Sequence, residues 1–143
     1  MEDNRTAAPA PTWFRIAAIG ALLWEMLGCS LLLMHAITDP TTLPRDQQAI
    51  WQATPAWMNF AWGFAVITGL AGTILLVTRK RRAEPLLLLS LVAVTVQFSG
   101  MLIVPALREL IASDDLLAPF VVLVVCYGVW MLARRGRKEG WLR

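Results

Sequence analysis

Apolar residues fall along this chain in four long blocks, and the charged residues fall between them. The blocks cover residues 16–37, 57–78, 85–107 and 117–133. The first contains one carboxylate, Glu25, and one histidine, His35, and the other three contain no charge. A helix needs about 20 apolar residues to cross the hydrocarbon core of a bilayer. Runs of 22, 22, 23 and 17 residues therefore predict four membrane-crossing helices, the last at the short limit.

The boundaries have physical causes. Thr12 is placed to cap the first helix. Thr54 is placed to cap the second, with Pro55 at its first position, where a missing N–H costs nothing. Pro85 opens the third run in the same way. Ser113, Asp114 and Asp115 offer caps ahead of the fourth, with Pro119 in its first turn, while Pro105 bends or ends the third. The first run is too long for a cleaved signal peptide, and Leu33-Met34-His35-Ala36 is a poor cleavage site.

The fold class that follows is all-α: a polytopic membrane protein whose short connections make an antiparallel four-helix bundle. Residues 1–12 are polar and rich in proline and alanine, and read as a disordered N-terminus. Residues 13–133 form the transmembrane domain with a loop at 38–56, and residues 134–143 form a basic tail. Within the loop, Pro44–Gln52 reads as a short helix with Leu43, Ile50 and Trp51 on the membrane and Arg45, Asp46, Gln47, Gln48 and Gln52 toward water. Trp13, Phe14, Trp57 and Trp141 suit the headgroup boundary.

Charge adds an orientation. Of the 13 Lys and Arg residues, eleven lie in the N-terminal segment, the 79–82 cluster and the tail, against two in the other connections, Arg45 and Arg108. Cations near membrane spans stay on the cytoplasmic side. Both termini are therefore expected inside, with residues 38–56 and 108–116 outside. Arg79, Lys80, Arg81, Arg82, Arg134 and Arg135 read as topology signals that also meet lipid headgroups. The lipid bilayer is the expected partner, a second copy or another membrane protein is an open partner, and nucleic acid is not expected because no nucleic-acid motif accompanies the cations.

The second run shows how it packs. Ala61, Ala65, Gly69 and Thr73 recur every four residues, a stripe that lets helix backbones approach closely.

Glu25 carries the main chemical question. It is the tenth of 22 residues in its run, near the bilayer midplane, where a charge costs roughly 2.5–3.5 kcal/mol. A carboxyl there faces the bundle interior or a wet cavity, as a proton or cation carrier or as a hydrogen-bonded structural group. His35, Asn59, Gln97 and Tyr127 are its candidate companions in a polar pocket that opens outward, with Trp24 and Trp62 as aromatic candidates beside it. His35 is the sole histidine, and Cys29 and Cys126 lie 97 residues apart. No metal site, haem ligation or other cofactor is expected. No catalytic motif occurs, so enzymatic activity is not expected.

Trp24 with Leu27-Gly28-Cys29, Pro55-Ala56-Trp57 after a Gln-rich segment, the Gly69–Leu76 run into Arg79-Lys80-Arg81-Arg82-Ala83, and Leu86–Leu91 leading to Gln97 carry a resemblance. Over about residues 13–98 the chain resembles small bacterial four-span inner-membrane proteins of unknown function, often classed as sugar transporters. Glu25 with Trp24 is also similar to the membrane-embedded glutamate of small multidrug-resistance transporters, whose loops and other motifs differ. The resemblances imply a small bacterial inner-membrane protein. They leave two functions: an accessory or small-ligand-binding membrane protein, or a proton-coupled small-molecule transporter, dimeric, with Glu25 as its coupling residue.

Overall fold

The computed structural model describes residues 9–143, and every regular element among them is a helix, with no strand. The helices are α1 (Thr12–Ile37), α2 (Arg45–Ala53), α3 (Ala56–Val77), α4 (Ala83–Ile103), α5 (Pro105–Leu110) and α6 (Leu117–Lys138), with single 3₁₀ turns at Pro40–Thr42 and Ser113–Leu116. Four of these, α1, α3, α4 and α6, are long and apolar enough to cross a membrane. Such a set indicates a multi-pass membrane protein. The expected N-terminal disorder falls largely on residues 1–8, outside the described residues. Of the rest of that segment, Ala10 packs against the core and Thr12 is already helical.

Several boundaries differ from the expectation. Thr12 does not cap α1; Pro11 holds the cap position, with Phe14 N–H donating to its carbonyl at 3.1 Å. Nor does Thr54 cap α3. Its hydroxyl closes α2 by donating to the Ile50 carbonyl at 2.7 Å, and Pro55 becomes the cap residue of α3. The third run ends at Ile103, because Val104 precedes a proline and is driven to extended backbone (φ −80°, ψ 112°). Pro105 then starts the separate α5. At the fourth run, Ala112 N–H donates to the Asp115 carboxylate at 2.9 Å. The α6 helix continues beyond Ala133 through Arg134 and Arg135 to Lys138, so the basic tail is half helix.

The core is built around α3. Its buried face carries Ala65, Val66, Thr68, Gly69, Gly72, Thr73 and Leu76. Ala65, Gly69 and Thr73 of the small-residue stripe are buried there, with Ala61 half-buried at its end. The contact lies within the chain: α4 packs most extensively on α3, and α1 next. A Cβ at Gly72 would meet Leu87 of α4, including its backbone nitrogen at 3.2 Å. Ser90 Oγ of α4 donates to the Ala65 carbonyl of α3 at 2.7 Å, which ties the two helices at their middle.

Two ends complete the architecture. At one, Phe14 is buried and packs edge-on against Trp141 (5.2 Å between rings), with Trp13 on the same indole at 5.6 Å. Leu142 is 1% exposed and joins this cluster. At the other end, α2 packs on α5, and Trp51 of α2 stacks on His35 at 3.9 Å. Gln48 does not face water alone; its amide donates to the Leu43 and Thr41 carbonyls and fastens the loop to α2.

Candidate functional site

Four helices meet around a cleft of about 280 Å³. From α1 come Trp24, Glu25, Gly28 and Leu31; from α3, Trp62, Ala65 and Val66; from α4, Ser90, Val94, Gln97 and Phe98; from α6, Val122 and Cys126. Part of the space comes from two small residues among them. Gly28 and Ala65 leave room that larger side chains would fill. The walls are apolar and aromatic with few polar atoms, the usual make-up of a small-molecule site.

Two of those polar groups lack a partner. Glu25 is 8% exposed, and among the described residues its carboxylate receives no hydrogen bond. It sits against α3 where Gly69 has no side chain: a Cβ there would collide with the carboxylate. Gln97 Oε1 is buried and also lacks a partner. The Ser90 hydroxyl spends its proton on the Ala65 carbonyl. The cleft therefore holds two oxygen acceptors, on Glu25 and Gln97, that receive no hydrogen bond among the described residues. A buried acceptor left unpaired costs on the order of 1–3 kcal/mol, and a guest that donates hydrogen bonds would recover that cost.

The structure brings together only some of the residues of the expected polar pocket. Glu25 and Gln97 share the cleft, and the aromatic candidates Trp24 and Trp62 both line it. Asn59 does not; it is exposed one turn before Trp62, because Met58 takes the inward position and fills the notch at Gly100. Tyr127 does not either. It is 52% exposed and its ring leans on Trp130, so the neighbouring Cys126 faces inward instead. His35 stands outside the cleft but touches its wall, edge-on to Trp62 at 5.2 Å while stacked on Trp51. The result is a continuous run of Trp51–His35–Trp62 ring contacts from the loop helix to the cleft.

Sequence reasoning missed Ser90, Phe98 and Cys126 as lining residues. Ser90 had a visible signal, a hydroxyl in the unbroken leucine run of α4. Phe98 and Cys126 had none, since an apolar residue among apolar residues does not reveal which way it points. Among the described residues no three His, Cys, Asp or Glu side chains gather as a metal site would require.

Comparison of the chain with protein-family models, with curated proteins and with solved structures finds no match in any of the three.

Proposed function

We propose that this chain is a non-catalytic, small-ligand-binding protein of the bacterial inner membrane, with the Glu25 cleft as its binding site. In this reading the four apolar helices form an antiparallel bundle with both termini cytoplasmic. The excess of cations around residues 79–82 and 134–138 supports that orientation. So does the contact of the 79–81 turn with residues 141–143, which brings the two basic segments to one end of the molecule. The ligand is small and largely apolar, and it carries an N–H donor, preferably an organic ammonium group. The single observation behind this is the pairing of two donorless acceptors, Glu25 and Gln97 Oε1, inside a cleft walled by Trp24 and Trp62. Aromatic faces and a carboxylate both attract a cation.

Benzylamine and toluene make a matched test, since they share a ring and differ in the amine. In detergent, benzylamine is expected to quench the emission of Trp24 and Trp62 at far lower concentration than toluene. Glu25→Gln is expected to remove most of the difference, and Trp24→Phe with Trp62→Phe to remove the signal. Equal binding of the two probes, or an unchanged difference in Glu25→Gln, contradicts the reading.

A second reading is a proton-coupled transporter, which the same carboxylate favours because among the described residues no cation lines the cleft. It predicts that benzylamine uptake into proteoliposomes follows an imposed pH gradient and stops in Glu25→Gln.

A further inference from the structure

A second cleft, of about 240 Å³, lies between α1 and α3 at the end of the molecule where the tail folds back. Its floor is apolar, from Ala18 and Ile19 of α1 and Leu76 and Val77 of α3, and two arginines, Arg15 and Arg79, stand with it. Ile19 and Val77 are 50% and 38% exposed, so the cleft is an open groove on the side of the helices.

Arg79 holds an unusual backbone position. The last turn of α3 closes with Lys80 N–H donating to the Leu75 carbonyl (2.7 Å) and Arg79 N–H to the Leu76 carbonyl (3.1 Å). That closure puts its residue in the left-handed region, which favours glycine. The end of α6 is closed in the same way and uses Gly140, φ 71°. At the end of α3 an arginine is present instead, φ 62°. A bulky residue held in that region points to a use for its side chain.

The tail supplies the restraint. Arg143 N–H donates to the Arg79 carbonyl at 2.7 Å, Arg81 N–H donates to the Arg143 carbonyl at 2.9 Å, and Arg79 Nε donates to the Trp141 carbonyl at 2.9 Å. Leu142, buried beneath, anchors the clasp. The surrounding charge is mostly positive among the described residues. Arg15, Lys80, Arg82, Lys138 and Arg143 are exposed and make no side-chain hydrogen bond or ion pair among the described residues. Of the nearby carboxylates, Glu84 is already paired with Arg137 at 2.7 Å.

We propose that this groove binds an anionic phospholipid, with the headgroup phosphate at Arg15 and the clasped Arg79 and an acyl chain along Ile19 and Val77. An arginine presents a fork of donors that matches phosphate oxygens, and basic sites between membrane helices are suited to acidic headgroups. A free phosphate shares the headgroup chemistry but would leave the apolar floor uncovered.

The test uses the full chain, stripped of lipid in neutral detergent. Dioleoyl phosphatidylglycerol or dioleoyl phosphatidylcholine is added and bound lipid is counted by native mass spectrometry, with inorganic phosphate and a single-stranded oligonucleotide as competitors. Phosphatidylglycerol is expected to be retained preferentially and to resist both competitors. Arg15→Gln and Arg79→Gly are each expected to cut the preference about fivefold, the effect of one cation near a headgroup. Leu142→Ala, which keeps every charge, is expected to cut it as well by loosening the clasp. Should Leu142→Ala lose its helical circular dichroism, the exposed Arg15→Gln decides alone. Equal retention of the two lipids overturns the proposal. So does a preference untouched by Arg15→Gln, displacement by inorganic phosphate, or tighter binding of the oligonucleotide.

Discussion

The carboxylate of Glu25 occupies the space that a side chain at Gly69 would need: a Cβ there would lie 2.7 Å from the Glu25 Cδ. The small-residue stripe of α3 therefore does more than bring backbones together. At this position it makes the notch that seats a carboxyl group in the bundle interior. Gly69→Ala is expected to lower stability by about 1–3 kcal/mol, the usual cost of overpacking. In a Glu25→Ala background the same substitution is expected to cost little. A double-mutant cycle of unfolding in detergent measures the coupling, and additive effects would contradict it.

The other close glycines rank by what faces them. A Cβ at Gly72 would meet Leu87 Cγ at 2.7 Å and the Leu87 backbone nitrogen at 3.2 Å, and the backbone cannot step aside. At Gly100 the obstacle is the Met58 thioether, an unbranched side chain that can turn away. Gly72→Ala is expected to destabilise more than Gly100→Ala, by about 1 kcal/mol or more. Melting temperatures in one detergent check the order.

Leu142 secures the tail. Truncating a fully buried leucine costs about 2–5 kcal/mol when the site cannot collapse. At a chain end that cost falls on local opening before global unfolding. Leu142→Ala is expected to speed tryptic cleavage after Arg137 and Lys138 while leaving cleavage after Arg45 unchanged. Equal rates in the variant and the wild type would show that Leu142 does not hold the clasp.

Asp39 gives the clearest pH dependence outside the apolar helices. Its carboxylate accepts from Thr41 N–H at 2.9 Å and from the Thr41 hydroxyl at 2.8 Å, which holds its pKa below the ordinary aspartate value. A depressed pKa means that the turn's stabilisation is complete above the unfolded value and is lost as pH falls through the folded one. The Thr41 amide resonance is expected to titrate at lower pH than that of the same segment as a free peptide. Coincident midpoints would contradict this.

The sequence carried the coarse fold well, because apolar run length is a direct consequence of bilayer thickness. Glu25, Gln97, Trp24 and Trp62, singled out in the sequence, line one cleft. What the sequence lost was rotation. Asn59 and Tyr127 lie on helix faces turned away from the cleft, and nearly uniform apolar helices carry little periodic signal to fix a face. The clasp was out of reach for another reason. Residues 134–143 read as a basic tail; residues 134–138 instead extend α6, and only long-range pairing with residues 79–81 fixes residues 141–143. The helix end at Ile103, by contrast, was legible in Pro105 alone.

The central claim is that the Glu25 carboxylate receives the amine of a small apolar ligand. Solid-state NMR on reconstituted protein tests it directly, by ¹⁵N–¹³C recoupling between ¹⁵N-benzylamine and ¹³C-labelled glutamate, with Glu25→Gln used to assign the signal. The account predicts a coupling that corresponds to about 3–4 Å between the amine nitrogen and the Glu25 Cδ, the range of a hydrogen-bonded pair. A bound amine with no coupling to Glu25, or a coupling that survives Glu25→Gln, would contradict it.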